Sequence, residues 1–509
     1  MPASARFILL SLILLVLSGC SSLARGPVTQ TSAAKQQPDE RFRDVSRLVE
    51  AGPPADTRQL NRHYRQQHRA WSEQTRYACH YPVYAGYFAR RFATPADFSA
   101  CSATVPFYLF NPRNGGELRW LKPGSVSSIH LLFSSQGEAL QSSFGHIALR
   151  LIVCPDTDAQ AGVHCDRNLQ QHMVLGFMGR IDELKMNPLK GVFGGYDAHL
   201  MAFDFMEIYR TNTLYDNRNM ISLPLRLEAD EIEQIVRELA EVHWRYRGDY
   251  RFFTNNCATL LQDTLSQLIA DYDGNAALKD GFIRPDSFFR AIKNSPLADS
   301  SVLQDLQQAE RDGYYFSSNI PYYRQALKLV NQHRSLSPAT SLDAYLRAPA
   351  TQRLVAIVKD PQLLQTIKSD DYIRDAQLLL EEYVLLKRER QLNDAITRYL
   401  ASSDIDAVFR RARASLQQQQ KTDTIDFLQR CYLLPMQHML ARLPRADGMP
   451  DDAFLKDFVP AQRCTDPGMR EEIRQTFNQL MPADNPLRQE SSRLAREISL
   501  TMKNITTLQ

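Results

Sequence analysis

The spacing of apolar residues divides the chain into stretches of different rhythm. Phe7 to Leu17 is an unbroken apolar run behind Arg6, shorter than the roughly 20 residues a spanning helix needs and suited to the centre of a secretory signal. From Arg41 to Phe92 Leu60, Tyr64, Trp71, Tyr77 and Tyr84 recur at helical intervals among polar and basic neighbours. They predict a helical layer across 41–117, which turns loop-like between Thr94 and Asn114 around Pro95, Pro106 and Pro112. Past Leu118 the period shortens toward two. Val126 to Phe133, His146 to Val153, His172 to Met178, Phe203 to Tyr209 and Met220 to Leu225 read as strands, and the short connections favour an antiparallel sheet. Two helices interrupt the pattern. Ile232, Ile235, Val236, Leu239 and Val242 form a stripe behind the acidic start Glu228, Asp230 and Glu231, and Leu261, Leu265 and Leu268 follow the polar turn Asn255-Asn256-Cys257. Beyond Ala298 helical spacing dominates, most clearly over Asp370 to Ser402, where Tyr372, Ala376, Leu379, Leu380, Tyr383 and Leu386 fall at three- and four-residue steps. The expectation is an α+β fold: a core over 118–297 and an all-α C-terminal domain over 298–509 whose role the pattern does not disclose.

Composition narrows the partners. Of 509 residues 44% are apolar and 23% charged, the balance of a globular protein with a large core. Lysine and arginine number 60 against 57 acidic residues, so the net charge of +3 gives no ground for expecting nucleic acid or an electrostatically held surface. The apolar run ends in Leu17-Ser18-Gly19-Cys20, which resembles the lipobox of bacterial lipoproteins. That resemblance implies a signal peptide over 1–19, a lipidated Cys20 as mature N-terminus and a membrane anchor. Ser21 and Ser22, with no aspartate beside Cys20, resemble the pattern that directs lipoproteins of two-membrane bacteria to the outer membrane, facing the periplasm. Residues 20–40, rich in Ser, Thr, Gln, Ala and Pro, read as a flexible tether, and no other run reaches the roughly 18 apolar residues of a transmembrane helix.

The eight cysteines change the picture again. With Cys20 given to lipid, an odd number remains, in a compartment where thiols are usually paired. Cys79 with Cys101, Cys154 with Cys165, and Cys431 with Cys464 are natural local pairs among the fifteen that six cysteines allow, and Cys257 is left over. It opens a helix, where unsatisfied amides and the positive end of the dipole favour a thiolate, so a depressed thiol pKa is expected. About a hundred residues earlier, Ser142-Ser143-Phe144-Gly145-His146 delivers a histidine to a strand start. A Cys–His pair performs acyl transfer: attack on an ester, thioester or amide carbonyl, an acyl-enzyme, then release to water or an amine. Cys257 would be nucleophile and His146 base. Asn255 and Asn256 are either oxyanion support or helix caps. If Cys154 faces Cys165 across a hairpin, His146 lies opposite Met173 within about two residues, which would bring His172 alongside as a third member, the other reading being an ordinary strand-edge histidine. Metal ligation is the poorer reading: His63 and His68 are not spaced for one helix face, and His164 with Cys165 lacks partners. Neither a phosphate loop nor a Gly-x-Ser-x-Gly elbow occurs, and no cofactor is expected.

The stretch Ser143 to Arg150, the segments Gly194 to Tyr209 and Tyr215 to Leu225, and Asn256-Cys257 resemble the N-terminal periplasmic domain family named after the lipoprotein intramolecular transacylase Lnb. Histidine before cysteine also resembles the circularly permuted papain-like group that includes lecithin:retinol acyltransferase and some cell-wall amidases. The resemblance covers about residues 118 to 290 and implies a permuted papain-like core with Cys257 as nucleophile and His146 as base. It departs from the transacylase in lacking a following bundle of apolar helices. The functional expectation is an outer-membrane-anchored thiol acyltransferase or hydrolase acting on a lipid, lipoprotein or cell-wall carbonyl. The alternatives are a cell-wall amidase or peptidase with the same chemistry, and a non-catalytic envelope scaffold with a degenerate core whose C-terminal helices bind a protein partner.

Overall fold

A computed structural model describes residues 78–509 apart from 93–95, 111–115, 137–144, 155–164, 181–187, 270–283, 333–338, 354–358, 402–404, 434–445, 447, 456–465 and 483. Cys20 and the tether, most of the first helical stretch, His63, His68, His164, Ser142 to Phe144 and Cys464 therefore lie outside the described residues. The strands are β1 (Val105–Leu109), β2 (Glu117–Leu121), β3 (Val126–Ser134), β4 (His146–Val153), β5 (Met173–Arg180), β6 (Tyr196–Asp204), β7 (Met220–Pro224), β8 (Gly248–Tyr250) and β9 (Tyr315–Phe316). They form one sheet in the order β2-β1-β6-β5-β4-β3-β7-β9, with β8 also on β6. The helices that matter here are α1 (Pro82–Phe92), α2 (Ala229–Arg245), α3 (Cys257–Leu268), α4 (Pro285–Lys293), α5 (Asp371–Ala401) and α6 (Pro486–Leu508).

Strand alternation sorts the side chains onto two faces. Ile147, Leu149 and Leu151 of β4 join the stripe of α2 and Leu261, Leu265 and Leu268 of α3 in the main core, while Ala148, between them, joins Leu132, Val174, Phe203, Phe205 and Phe316 on the other face. The predicted helix starts are present: the Glu228 amide donates to the Glu231 carboxylate at 2.9 Å, and Asn256 caps α3.

Three sequence expectations need correction. The segment 41–117 is not helical throughout, because it contributes β1 and the first residue of β2 to the sheet. Pro106 disguises β1, yet it is tolerated because β1 meets β6 only at Leu109, leaving most of the strand paired on one side. The Pro106 carbonyl is used instead by Trp244, whose indole N–H donates to it at 2.8 Å. Second, β1 runs parallel to β6, so the sheet is mixed, although β3 to β7 pair antiparallel as expected. The chain also does not leave the sheet at residue 297: β9 pairs with β7. After Phe316 the regular elements among the described residues are helices, with α5 and α6 packed together.

Cys79–Cys101 and Cys154–Cys165 are disulfides, and Cys431 is disulfide-bonded. No helix among the described residues is long and apolar enough to cross a membrane.

Helix α1 is locked to α2 by charge and by close approach. Arg90 donates two hydrogen bonds to Glu238, at 2.7 and 2.8 Å, and the Val83 amide donates to Glu241 at 2.7 Å. A Cβ at Gly86 would stand 1.8 Å from Glu238 Oε1, and that carboxylate is held by Arg90 and Gln234. Gly86→Ala is therefore expected to cost about 1–3 kcal/mol, the usual range for overpacking, and to lower the urea midpoint. An unchanged midpoint would show that the crossing has slack.

Candidate active site

The turn ahead of β4 explains one residue of the motif. Gly145 has φ +85°, and a Cβ there would lie 2.6 Å from the Ser134 carbonyl, so only glycine fits this approach. His146 then starts β4 opposite Ser134 of β3. On the other side, β4 and β5 pair only from Leu149↔Leu175 to Leu151↔Met173, although β4 begins at His146 and β5 runs on to Arg180. The two strands have parted at the end where His146 sits. Its ring extends along the face of Ala148, with Nε2 3.4 Å from where a Cβ of Gly176 would be, so the missing side chain at 176 makes room for the imidazole.

Cys257 approaches this opening from the helical side. Asn256 caps α3, its Oδ1 accepting the Ala258 amide at 2.9 Å and the Thr259 amide at 3.4 Å, while its Nδ2 donates to the Phe252 carbonyl at 3.1 Å. Asn255 Nδ2 donates to the Asp249 carbonyl at 2.6 Å. Both asparagines thus build the turn that presents Cys257, and the side-chain amides expected as oxyanion donors are engaged with main-chain carbonyls. The sulfur accepts the amides of Ile147, Ala258 and Cys257 itself and the hydroxyl of Tyr250. Ile147 is the neighbour of His146, so the sulfur lies beside the main chain of that strand start, while the His146 ring lies on the face of Ala148. No hydrogen bond joins them directly among the described residues.

Cys257 is free of disulfides and buried, 4% exposed. Burial raises its pKa, and the Ile147 amide, Tyr250 and the Ala258 amide offset this only in part. The expected depression is thus overturned: the helix start supplies donors, but desolvation of the anion outweighs them. His146 moves the other way, to about 4, through burial and then the nearby guanidinium of Arg218. Thiol and imidazole both rest neutral rather than as an ion pair.

A pH dependence follows. Below about 4 His146 is protonated and cannot accept the thiol proton; above it the imidazole is free, and thiolate grows only as pH approaches a value higher than that of an ordinary thiol, about 8.5. Alkylation of Cys257 by iodoacetamide is expected to rise steadily from pH 6 to 9.5 with no inflection near 6.5. A plateau reached by pH 7 would establish a depressed thiol pKa and contradict this assignment.

His172 belongs elsewhere. Leu151, not His146, faces Met173, so His172 lies beyond the paired end of β4 and β5, away from the opening. Arg150 donates to its Nδ1 from Nε at 3.2 Å and from Nη2 at 2.7 Å, which leaves Nε2–H to donate to the Cys165 carbonyl at 2.8 Å. Burial and then Arg150 push its pKa down to about 3. It is a neutral structural link, not a third member of the Cys257 site. The sequence missed Tyr250 and Arg218. Tyr250 lies seven residues before Cys257 in an aromatic, strand-like stretch, and Arg218 sits in a polar turn without any local signature.

Residues 118–294 match the family model of the Lnb N-terminal periplasmic domain, which spans β3 to β7, α2, α3 and α4 and includes His146, Arg218, Tyr250 and Cys257. No curated protein and no solved structure matches the chain.

Proposed function

We propose that the Lnb N-terminal periplasmic domain of this chain is a cysteine-dependent acyl-transfer site, an acyltransferase or hydrolase with a permuted papain-like core, facing the periplasm. The observation that carries this reading is the sulfur of Cys257. It is the free thiol among the described residues, it stands at a helix start, and it accepts the amide of the residue next to His146. His146, neutral at physiological pH, removes the thiol proton as the sulfur attacks a carbonyl carbon. The C–S bond forms, the bond to the leaving alcohol or amine breaks, and the proton passes from His146 to that group. Water or an amine then attacks the thioester and frees the sulfur. The Tyr250 hydroxyl, already on the sulfur, is placed to donate to the carbonyl oxygen as charge develops.

The substrate is an envelope carbonyl: a lipid ester, a lipoprotein acyl group or, for an amidase or peptidase, a cell-wall amide. Lipidation of Cys20 would hold the site at the inner surface of the outer membrane, within reach of all three. Incubating the protein with phospholipid vesicles, a diacylated lipopeptide and a cell-wall peptide, with Cys257→Ala and His146→Ala beside it, tests the reading and selects the substrate. Turnover of one class that is lost in both variants supports it; turnover surviving Cys257→Ala refutes it.

The scaffold reading has one observation in its favour, the burial and raised pKa of Cys257. It requires that both variants keep every property of the protein, including any partner bound by the C-terminal helices.

A further inference from the structure

Arg218 is a buried cation without a carboxylate. It is 6% exposed, and Nε and Nη2 donate to the carbonyls of Ser135 at 2.6 Å and Ser134 at 3.3 Å. Ser134 is the partner of His146 across β3 and β4, so the guanidinium lies beside the strand end that carries His146. Its field reaches both, lowering the pKa of His146, while the thiolate would raise that of Arg218. No carboxylate is within ion-pair distance of Arg218 among the described residues. Asp216, two residues back, offsets part of the burial of Arg218 through its charge but is itself ion-paired with Arg390. A buried charge whose side-chain hydrogen bonds go to neutral carbonyls is costly unless an anion completes them.

The residues before Arg218 are gripped by one face of α5. Lys387 donates to the Tyr215 carbonyl at 3.0 Å, Arg390 pairs with Asp216, and the Asn217 side chain donates to the Tyr383 hydroxyl at 3.0 Å. Tyr383, Lys387 and Arg390 recur at helical steps of four and three, and they take three consecutive residues of the turn. Asn217 has φ +53°, a left-handed conformation in which asparagine is among the better tolerated residues, and the next residue is Arg218.

We propose that Arg218 is the anion-recognising residue of the Cys257 site, selecting substrates with a negatively charged group beside the reacting carbonyl, and that the C-terminal helices serve this site by holding Arg218 through α5. The inference rests on the acyl-transfer reading and names its substrate class. An anionic group at Arg218 would neutralise it and remove its share of the suppression of His146 basicity, leaving that of burial, so a charged substrate would make the base stronger on binding. A phospholipid phosphate and a peptide carboxylate share the required chemistry.

The test compares alkylation of Cys257 in the full chain by iodoacetate, an anion, and iodoacetamide, its neutral analogue, using 2-mercaptoethanol as the reference thiol. The iodoacetate-to-iodoacetamide rate ratio is expected to exceed the reference by about tenfold in the native protein, to fall to the reference in Arg218→Gln and to be largely kept in Arg218→Lys. Tyr383→Phe combined with Lys387→Met should lower the ratio at least about threefold, since loosening the turn moves the guanidinium. Circular dichroism confirms that each variant is folded. Equal ratios in native protein and Arg218→Gln overturn the inference alone. If neither reagent labels folded native protein, the site admits no substrate and the acyl-transfer reading falls with it. Protection from iodoacetate by phosphatidylglycerol vesicles, lost in Arg218→Gln, assigns the charge to phosphate. The same result with a Glu- and Asp-rich peptide assigns it to carboxylate, and protection by neither overturns the selectivity.

Discussion

Cys257→Ala is expected to reduce acyl turnover by about 10⁴-fold or more while leaving the protein folded, the loss seen when a covalent nucleophile is removed and only binding and electrostatic assistance remain. The fold should survive because alanine is smaller than cysteine and apolar. The amides of Ala258 and Cys257 lie at a helix start that Asn256 already caps, and Tyr250 retains a donor contact from the Cys257 amide. His146→Ala should cost less, about 10²–10⁴-fold, because a general base lowers the barrier without forming the bond. The gap between the two separates nucleophile from base, and initial-rate kinetics on the substrate class that turns over measures both. Equal losses would mean that the pair acts as a unit.

Arg150→Met is expected to produce the largest loss of stability, about 3–5 kcal/mol, comparable to breaking a buried charge network by removing one partner. Arg150 is fully buried. Besides His172 it donates to the Ser222 hydroxyl at 3.1 Å, the Gly313 carbonyl at 2.7 Å and the Asp166 carbonyl at 3.1 Å, and it lies 4.2 Å from the centre of the Phe205 ring. These partners belong to β7, the turn before β9, and the 3₁₀ turn opened by Cys165, so one guanidinium ties three segments to β4. Burial lowers its pKa to about 9, which still leaves it cationic at neutral pH. Methionine fills the aliphatic volume but leaves the Nδ1 of His172 and the carbonyls of Gly313 and Asp166 without a donor, each a desolvation cost of about 1–3 kcal/mol. Urea unfolding of the variant measures the loss. A change under about 1 kcal/mol would show that water or a rearranged loop satisfies these groups.

These two residues show what could be read from the sequence and what could not. Cys257 was legible because its signals are local: asparagine caps ahead of it, apolar residues at helical steps after it, and cysteine pairs close in sequence that leave it over. The bonds Cys79–Cys101 and Cys154–Cys165, 22 and 11 residues apart, bear out that local logic. His146 stood out through its glycine, and the structure supplies the reason in a turn that admits no Cβ. Arg150, four residues on, stood in the same motif, yet its place is structural, on the face away from α3. Of the two readings of His172, the third-member one fails because it needs Cys154 and Cys165 to be a facing pair of strand residues. Cys165 instead opens a short 3₁₀ turn, Cys165–Arg167, and β5 begins only at Met173, which shifts the register. Strand β1 was hidden by Pro106. The acidity of Cys257 was misjudged for an energetic reason: a helix start announces donors in the sequence, whereas the burial that outweighs them depends on residues as distant as Ile147 and Tyr250.

The most direct test of the central claim is to seek the acyl-enzyme itself. The protein is incubated at pH 7.5 with a short-chain p-nitrophenyl ester and, separately, with phospholipid vesicles and a diacylated lipopeptide, quenched in acid, digested and examined by mass spectrometry. The account predicts an acyl adduct on the peptide carrying Cys257 with at least one of these donors, labile to hydroxylamine as a thioester is, and greatly reduced in His146→Ala. Donor turnover with no adduct on Cys257, or the same adduct yield in His146→Ala, would contradict it.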